Sequence, residues 1–456
     1  MQRLAAFGSY DVRGRVGVTL DAAMCRRIGR GFARVLAPGR AVVGRDVRAS
    51  GEALQAALIA GLCDEGVEVV DIGLCGTEEV YFATAHEGAG GGLMVTASHN
   101  PADWNGIKMV GEGARPMSWE SGLGAIHDLV LADAFGPARG RGRVRRADLR
   151  AAYAERVAGM LDPAGLRPLR VLVNAGHGTA GPAFDAVAAR LAAQGVPFVF
   201  ERMFHDPDPA FPQGVPNPLL PGNRAATAEA VRAAGADLGI AWDGDFDRCF
   251  FFDETGGFVD GEHVVALLAT AFLDREPGAR IVHDGRVIWN TRDVVTRAGG
   301  VPVLCRTGHA HLKAKMREVD AVYGGEMSAH HYFRDFMSCD SGMIPALLVA
   351  GLVARRGEPL AAMVAGMRAR FPSSGEINFG VADIAAAIAR VETALLPQAQ
   401  GVDRLDGLSL DMGAWRLNLR ASNTENLLRM NLESRGDAAL LLAKVAEVTA
   451  LVEPGA

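Results

Sequence analysis

Two stretches of the chain concentrate residue types that do chemistry. Residues 91–101 read Gly-Gly-Leu-Met-Val-Thr-Ala-Ser-His-Asn-Pro. The apolar run Leu93-Met94-Val95 predicts a buried strand, and Pro101 cannot continue its ladder. Ser98, His99 and Asn100 are therefore expected on a tight loop at a strand's C-terminal end, where open α/β sheets bind ligands. A hydroxyl held beside an imidazole and an amide is a candidate covalent carrier, and the same residue types also make ordinary turns. The second stretch, Asp243-Gly-Asp245-Phe-Asp247-Arg248, lies between the apolar runs 238–242 and 249–252. Three alternating carboxylates repel one another unless a cation neutralises them, and an all-oxygen ligand set selects a hard ion, Mg²⁺ or Ca²⁺. Arg248 beside the acids suggests that a phosphate shares the metal.

Each pattern has rivals. An EF-hand is rejected, because Arg248 stands where its sixth position requires glycine. The aspartyl-phosphate loop of haloacid-dehalogenase phosphatases also follows an apolar strand, and it would make Asp243 the nucleophile. Gly176-His-Gly178-Thr-Ala-Gly181 has the form of a dinucleotide fingerprint. With 56 glycines in the chain it is read instead as a close strand–helix turn. Arg13 and Arg15 flank Gly14 early in the chain, where planar, permanently charged donors suit a phosphate. Thr307-Gly308-His309 and Gly325-Glu326-Met327-Ser328-Ala329-His330 place hydroxyl, carboxylate and imidazole groups on loops that suit a polyol. Arg420-Ala-Ser422-Asn423-Thr424 ends a strand with an inventory that matches a phosphate dianion.

The elements that position these loops repeat. A strand near 41–44 leads to a helix with Leu54, Leu58 and Leu62 on one face, Ser50 as its N-cap, Gly66 at its end and a strand at 67–72. A further helix starts at Thr77. The pattern returns at 169–173, 181–194 and Gly195, and again at 280–283, 288–298 and Gly300. Three such units predict three related α/β domains with mixed or mainly parallel sheets. The last ~85 residues, with alternating strands at 375–379, 408–412, 415–420 and 427–432 and two helices, read as a small α+β domain. The Gly- and Arg-rich stretch 134–147 reads as a linker or surface loop. The expected domains are 1–146, 147–256, 257–371 and 372–456.

Composition bounds the function class. At 456 residues the chain exceeds one ordinary core. Its 49% hydrophobic and 22% charged residues fit a globular protein, not a disordered one. A net charge of −6 points to neither nucleic acid nor an anionic membrane, so local arginines must draw any anionic ligand. The six scattered cysteines include no C-x-x-C pair and read as free thiols of a cytoplasmic protein. The apolar run 343–354 is too short to span a bilayer and predicts a core helix.

Thr96–Pro101, Asp243–Arg248, Gly325–His330 and Arg420–Thr424 together resemble the four signatures of the α-D-phosphohexomutases, in the family's order. Gly-Thr-Glu-Glu at 76–79 and Ala-His-His-Tyr-Phe-Arg at 329–334 are similar to the bacterial phosphomannomutase/phosphoglucomutase branch. The resemblance implies four domains around a central cleft, with Ser98 as phosphoserine. Asp243, Asp245 and Asp247 would hold Mg²⁺, with an oxygen on Ser98 as a further ligand. Arg13, His99, Lys108 and Arg248 would flank the transferring phosphoryl group. Thr307, Gly308, His309, Glu326, Ser328, His330 and Arg286 would bind the sugar. Arg420, Ser422, Asn423 and Thr424 would grip the phosphate that is not reacting. The implied reaction interconverts hexose 1- and 6-phosphates, of mannose and also glucose, through a hexose 1,6-bisphosphate, in a monomer or weak homo-oligomer that feeds nucleotide-sugar synthesis. Two departures stand out: Arg286 replaces a lysine found in some relatives, and Asn426 replaces a usual proline. A phosphoglucomutase preference, a phosphatase acting through Asp243, and a non-catalytic phosphosugar- or nucleotide-binding protein are the competing readings.

Overall fold

The computed structural model describes residues 4–422 and 427–453. The chain divides into two units, Met1–Phe258 with His330–Gly357, and Val259–Ala329 with Glu358–Ala456.

The first unit holds two mixed sheets. One runs Asp11–Arg15, Trp104–Gly111, Gly91–Val95, Arg40–Arg45, Glu68–Leu74, Val144–Arg146. Its first three strands pair antiparallel and the remainder parallel. Gly91–Val95 is wholly buried and ends at the serine loop. The other sheet sets Leu169–Asn174 between Phe198–Met203 and Leu238–Trp242, both parallel to it, with Cys249–Phe252 antiparallel beyond. The acidic loop is the turn between these last two strands, which are themselves buried throughout. The hairpin His331–Phe333 and Cys339–Asp340 precedes the helix Met343–Arg356, whose first twelve residues are all buried. Fully burying each of its leucines and valines stabilises the fold by roughly 1.5–3 kcal/mol.

In the second unit Arg280–His283 pairs parallel with Val301–Leu304 and Tyr323–Gly325. The C-terminal sheet runs Ile377–Phe379, Leu428–Ser434, Trp415–Ala421, Leu408–Asp411, Gly401–Asp403 and is antiparallel throughout. Ile384–Leu395 and Ala438–Val452 bury Val391, Leu395, Leu441 and Val448 against it. No described helix is long and apolar enough to cross a membrane, and all six cysteines are free.

The three repeated units share one helix stop. Gly66, Gly195 and Gly299 have φ of 86°, 76° and 75°. In each case the next N–H reaches back into the helix: Val67 to Leu62, Val196 to Leu191, Gly300 to Val295. This is the left-handed glycine cap with its longer return bond. In the third unit the capping glycine is Gly299, not Gly300, which instead packs its α-carbon against Leu273.

Two local expectations are corrected. Ser50 precedes the helix Gly51–Asp64 but makes no side-chain cap, because its hydroxyl accepts from Asn105 Nδ2 at 2.9 Å. The expected linker contains a strand, Val144–Arg146, which extends the first sheet beyond Glu68–Leu74. Its residues are exposed, so no apolar alternation announced it.

Candidate active site

Ser98 sits where the strand Gly91–Val95 gives way to a tight turn, closed by the Asn100 N–H on the Ala97 carbonyl. Its φ is +50°, a left-handed conformation that L-residues avoid and that persists only where the surroundings over-determine it. What determines it here is Arg48. Its guanidinium is fully buried and donates to the carbonyls of Ser98 (2.9 Å), Asn100 (2.6 Å), Pro101 (2.7 Å) and Trp104 (2.8 Å). Asp46 lies 3.2 Å from Arg48 Nε and accepts the Thr96 hydroxyl at 2.7 Å. Thr96 Oγ1 in turn accepts the Ser98 N–H at 2.9 Å.

The acidic loop meets this turn. Ser98 Oγ donates to Asp243 Oδ2 at 2.9 Å and lies 3.3 Å from Arg248 Nη2. Arg248 Nε also donates to Asp243 Oδ2, at 2.9 Å, and Arg248 Nη2 donates to His99 Nδ1. A Cβ on Gly244 would stand 2.7 Å from the Ser98 carbonyl, so only glycine permits the approach. The glycine-rich turn after Leu169–Asn174 serves the same loop: the Thr179 N–H and hydroxyl both reach the Gly244 carbonyl, at 3.1 and 3.2 Å. That is a structural role, as its reading as a close turn implied. Thr77 clasps Asp245 from the other side, N–H to carbonyl at 3.0 Å and hydroxyl to Oδ2 at 2.6 Å.

Lys108, on Trp104–Gly111, bonds Asp245 Oδ2 at 2.7 Å and also Asp247 Oδ2. Its ammonium thus sits on the acidic loop, and Arg13 sits beside the serine turn, bonding Asn100 Oδ1 at 2.6 Å and Asp11 at 2.8 Å. Burial opposes the charged Lys108, but Asp245 and Asp247 outweigh it and raise its pKa. Burial likewise pushes Asp245 up, yet Lys108, Thr77 and Arg13 hold it below the ordinary carboxylate range. Asp247 is raised to about 6 by burial and by Asp245, against the pull of Lys108. Burial, then Arg248 and Arg13, hold His99 well below the usual imidazole value.

The acidic loop fits a divalent cation. Asp243, Asp245 and Asp247 each offer an oxygen within 4.8 Å of the others, and all three are buried. The Oδ1 atoms of Asp245 and Asp247 are buried without a hydrogen-bond donor. Such oxygens are costly unless a cation takes them up. His330 belongs to the same unit, with Asp340 Oδ2 3.2 Å from its Nδ1 and Asp247 in the same cluster.

The remaining predicted residues lie in the second unit. Gly308, with φ +126°, caps the helix that His309 opens, and its N–H donates to Glu326 Oε1 at 3.0 Å. The Thr307 N–H donates to Asp406 at 3.2 Å. Arg286 Nη2 donates to Ser328 Oγ at 3.1 Å and lies 3.6 Å from Glu326, while its Nε donates to Asp284 at 2.8 Å. Arg420 ends Trp415–Ala421, and the following Ser422 N–H donates to the Leu427 carbonyl at 2.8 Å. Asn423 and Thr424 lie outside the described residues.

Several site-forming residues escaped sequence reasoning: Arg48 and Asp340 in the first unit, Asp284, Glu376 and Arg429 in the second, while Thr77 and Thr96 were quoted in motifs but given no role. The Arg45-Asp46-Val-Arg48 run after a strand was the one available signal, because charges directly after a buried strand need partners.

Comparison with known proteins gives the family of the chain. Family models described as phosphoglucomutase/phosphomannomutase, alpha/beta/alpha domains I, II and III match residues 4–135, 151–257 and 260–371. The C-terminal domain model of the same family matches residues 376–451. The chain is 53% identical over 454 residues to a phosphomannomutase of Salmonella montevideo, covering 99% of this chain and 100% of the relative. It is 54% identical over 449 residues to a protein of Xanthomonas campestris pv. campestris described as phosphohexose mutases, covering 98% and 99%. The crystal structure of a phosphoglucomutase/phosphomannomutase family protein from Burkholderia thailandensis superposes with a TM-score of 0.88 at 31% identity, covering 100% and 99%. The chain belongs to the phosphoglucomutase/phosphomannomutase family of α-D-phosphohexomutases and is an isomerase of the phosphohexomutase type.

Proposed function

We propose that the enzyme interconverts hexose 1-phosphate and hexose 6-phosphate, of mannose and also of glucose, by way of phosphoserine at Ser98. The observation that carries this reading is the meeting of Ser98 Oγ with Asp243 and Arg248, two sequence-distant groups that suit a phosphoryl carrier and not a turn. Phosphoryl transfer needs positioning and charge stabilisation more than covalent assistance. The bond between phosphorus and Ser98 Oγ breaks as one forms to the sugar's free 1- or 6-hydroxyl oxygen, and the proton leaving that hydroxyl ends on the departing Ser98 Oγ, which becomes the free hydroxyl again. The hexose 1,6-bisphosphate turns round, and its other phosphate returns to Ser98.

Arg48 holds the serine backbone still. Arg248, Lys108 and Arg13 bring positive charge to the phosphoryl oxygens, and His99 stands beside them as a neutral imidazole. Asp243, Asp245 and Asp247 would hold Mg²⁺, which supplies Lewis-acid stabilisation of phosphoryl charge. Glu326 and Ser328 read sugar hydroxyls, together with Thr307, Gly308, His309 and Arg286 of the same unit, and His330 is assigned to the sugar as well. Arg420, Ser422, Asn423 and Thr424 take the distal phosphate. The free cysteines suit a cytoplasmic setting.

The test is mutase turnover of mannose 1-phosphate and glucose 1-phosphate with Mg²⁺ and a trace of hexose 1,6-bisphosphate. Ser98→Ala is expected to lose ~1000-fold or more in kcat, and chelating the metal to abolish turnover. Release of inorganic phosphate that survives Ser98→Ala would instead make Asp243 the nucleophile.

A further inference from the structure

One carboxylate in the second unit collects three arginines. Glu376 Oε2 accepts from Arg286 Nη1 at 3.3 Å and from Arg420 Nη2 at 3.1 Å. Its Oε1 pairs with Arg429 Nη1 at 3.1 Å. The sheet makes this partner necessary. Arg420 and Arg429 stand directly opposite each other on adjacent antiparallel strands, a like-charge pairing that destabilises a sheet. Burial opposes the ionised Glu376, but Arg286, Arg429 and Arg420 outweigh it and keep its pKa below the ordinary range.

Among the described residues, the ion pairs around Glu376 join three cations to three anions. Arg286, Arg420 and Arg429 contribute three positive charges. Asp284, Glu326 and Glu376 contribute three negative ones, all within one connected set of ion pairs. A phosphate dianion approaching Arg420 therefore meets a guanidinium already paired with the Glu376 anion, with Asp406 as a further negative charge acting on it. The role given to Glu376 rests on the proposed function, in which Arg420 holds the distal phosphate. A mutase working through a bisphosphate must hold each phosphate in turn and also let go, so the grip cannot be as tight as three arginines permit.

We propose that Glu376 is an intramolecular competitor for the phosphate grip, a positioning residue that limits the hold of Arg420 on the distal phosphate so that the bisphosphate can leave and return. The carboxylate lies between Arg286, in the segment after Arg280–His283, and Arg420 and Arg429 on two adjacent strands, so it also sets the spacing of these groups.

The experiment compares wild type, Glu376→Gln and Glu376→Asp in binding of inorganic phosphate by calorimetry and in mutase kinetics. Glu376→Gln is expected to bind inorganic phosphate about tenfold more tightly, because a repelling charge a few ångströms away is removed at a partly solvated site. KM for the sugar phosphate falls with it, and kcat falls as well, because release slows. Glu376→Asp keeps the charge and stays within about twofold of wild type. A residue that only props the strands would raise KM and weaken phosphate binding when changed. That result overturns the proposal, as does equal binding by wild type and Glu376→Gln, or no phosphate binding by either. Should Glu376→Gln not fold, Glu376→Ser is read by the same criteria, and if neither folds Glu376 is a structural prop and the proposal fails. The phosphate arm needs no turnover: a wild type without mutase activity would sink the functional reading while this arm still reports on Glu376.

Discussion

The serine centre and the arginine cluster solve opposite electrostatic problems. At Ser98 the protein concentrates carboxylates and must keep them together. It does so with buried, paired groups: a fully buried Arg48, a Lys108 locked on two aspartates, a Thr77 hydroxyl on Asp245 and a Thr96 hydroxyl between Asp46 and Asp245. At Arg420 it concentrates guanidiniums around one partly exposed carboxylate, Glu376, just before the strand Ile377–Phe379, with Asp284 and Glu326 pairing Arg286. A centre that transfers a group needs atoms fixed in place, whereas one that receives and releases an anion needs ion pairs that exchange. At the serine centre charged groups are fixed by backbone carbonyls and buried threonines, and at the arginine cluster by paired charged side chains.

The sharpest break in this comparison is Arg48→Met. It leaves four carbonyls of the serine turn without their donor, and it is expected to cost about 3–5 kcal/mol of stability. The same change is expected to lower kcat ~100-fold or more through displacement of the serine. Circular-dichroism melts and steady-state kinetics separate the two effects, and a folded variant of normal activity would show that the turn holds without Arg48. Arg420→Lys addresses the other centre. Loss of the planar fork is expected to raise KM roughly tenfold while kcat stays within about threefold, as measured in the same assay.

Each unit also carries a buried carboxyl that prefers to be neutral, which sharpens the comparison by pH. Glu78 is raised to about 8 by burial, although Tyr153 and the N–H groups of Gly342 and Met343 oppose this. Glu262 is raised to about 8 by burial and by Asp260. For a folded-state pKa above the unfolded one, the stability is fully present below the unfolded value of about 4.3 and is lost as pH rises through the folded value. Melting temperature is therefore expected to fall between about pH 6.5 and 8.5, above the range in which the buried His99, His263, His283 and His331, all held below the usual imidazole value, add stability as pH rises. Glu78→Gln should flatten the part of that fall that belongs to the first unit, and Glu262→Gln the part that belongs to the second. A Glu78→Gln profile parallel to wild type would remove Glu78 from the account. The smallest effect is expected from Arg146→Ala, whose side chain is 92% exposed: within about 0.5 kcal/mol and no change in kinetics.

The loops that carry chemistry were legible because each follows a short apolar strand and ends in polar or breaking residues. That signature placed Ser98 on a turn after Gly91–Val95 and the three aspartates between two buried strands. The repeated glycine stops were legible for a similar reason, since a helix must end where a left-handed residue is cheapest. The supports were not. Arg48 reads as one of many arginines until the chain returns Pro101 and Trp104 to it, fifty residues later. Ser50 has every mark of an N-cap, yet a distant asparagine takes its hydroxyl. Val144–Arg146 joins a sheet through backbone bonds alone, and exposed arginines leave no pattern to announce it.

The order of residues by itself determined most of the elements, most of the places where they stop, the membership of the chain in its family, and which loops hold hydroxyl, carboxylate and guanidinium groups. These follow from local propensity, period and composition, which act over a few residues. Only the tertiary structure decided that Ser98 Oγ meets Asp243 across 145 residues of chain, that Lys108 neutralises Asp245 while Asp247 is pushed up, and that three arginines share Glu376. Electrostatic energy depends on distance through space and on the exclusion of water, and neither exists until the strands have paired and the core has closed.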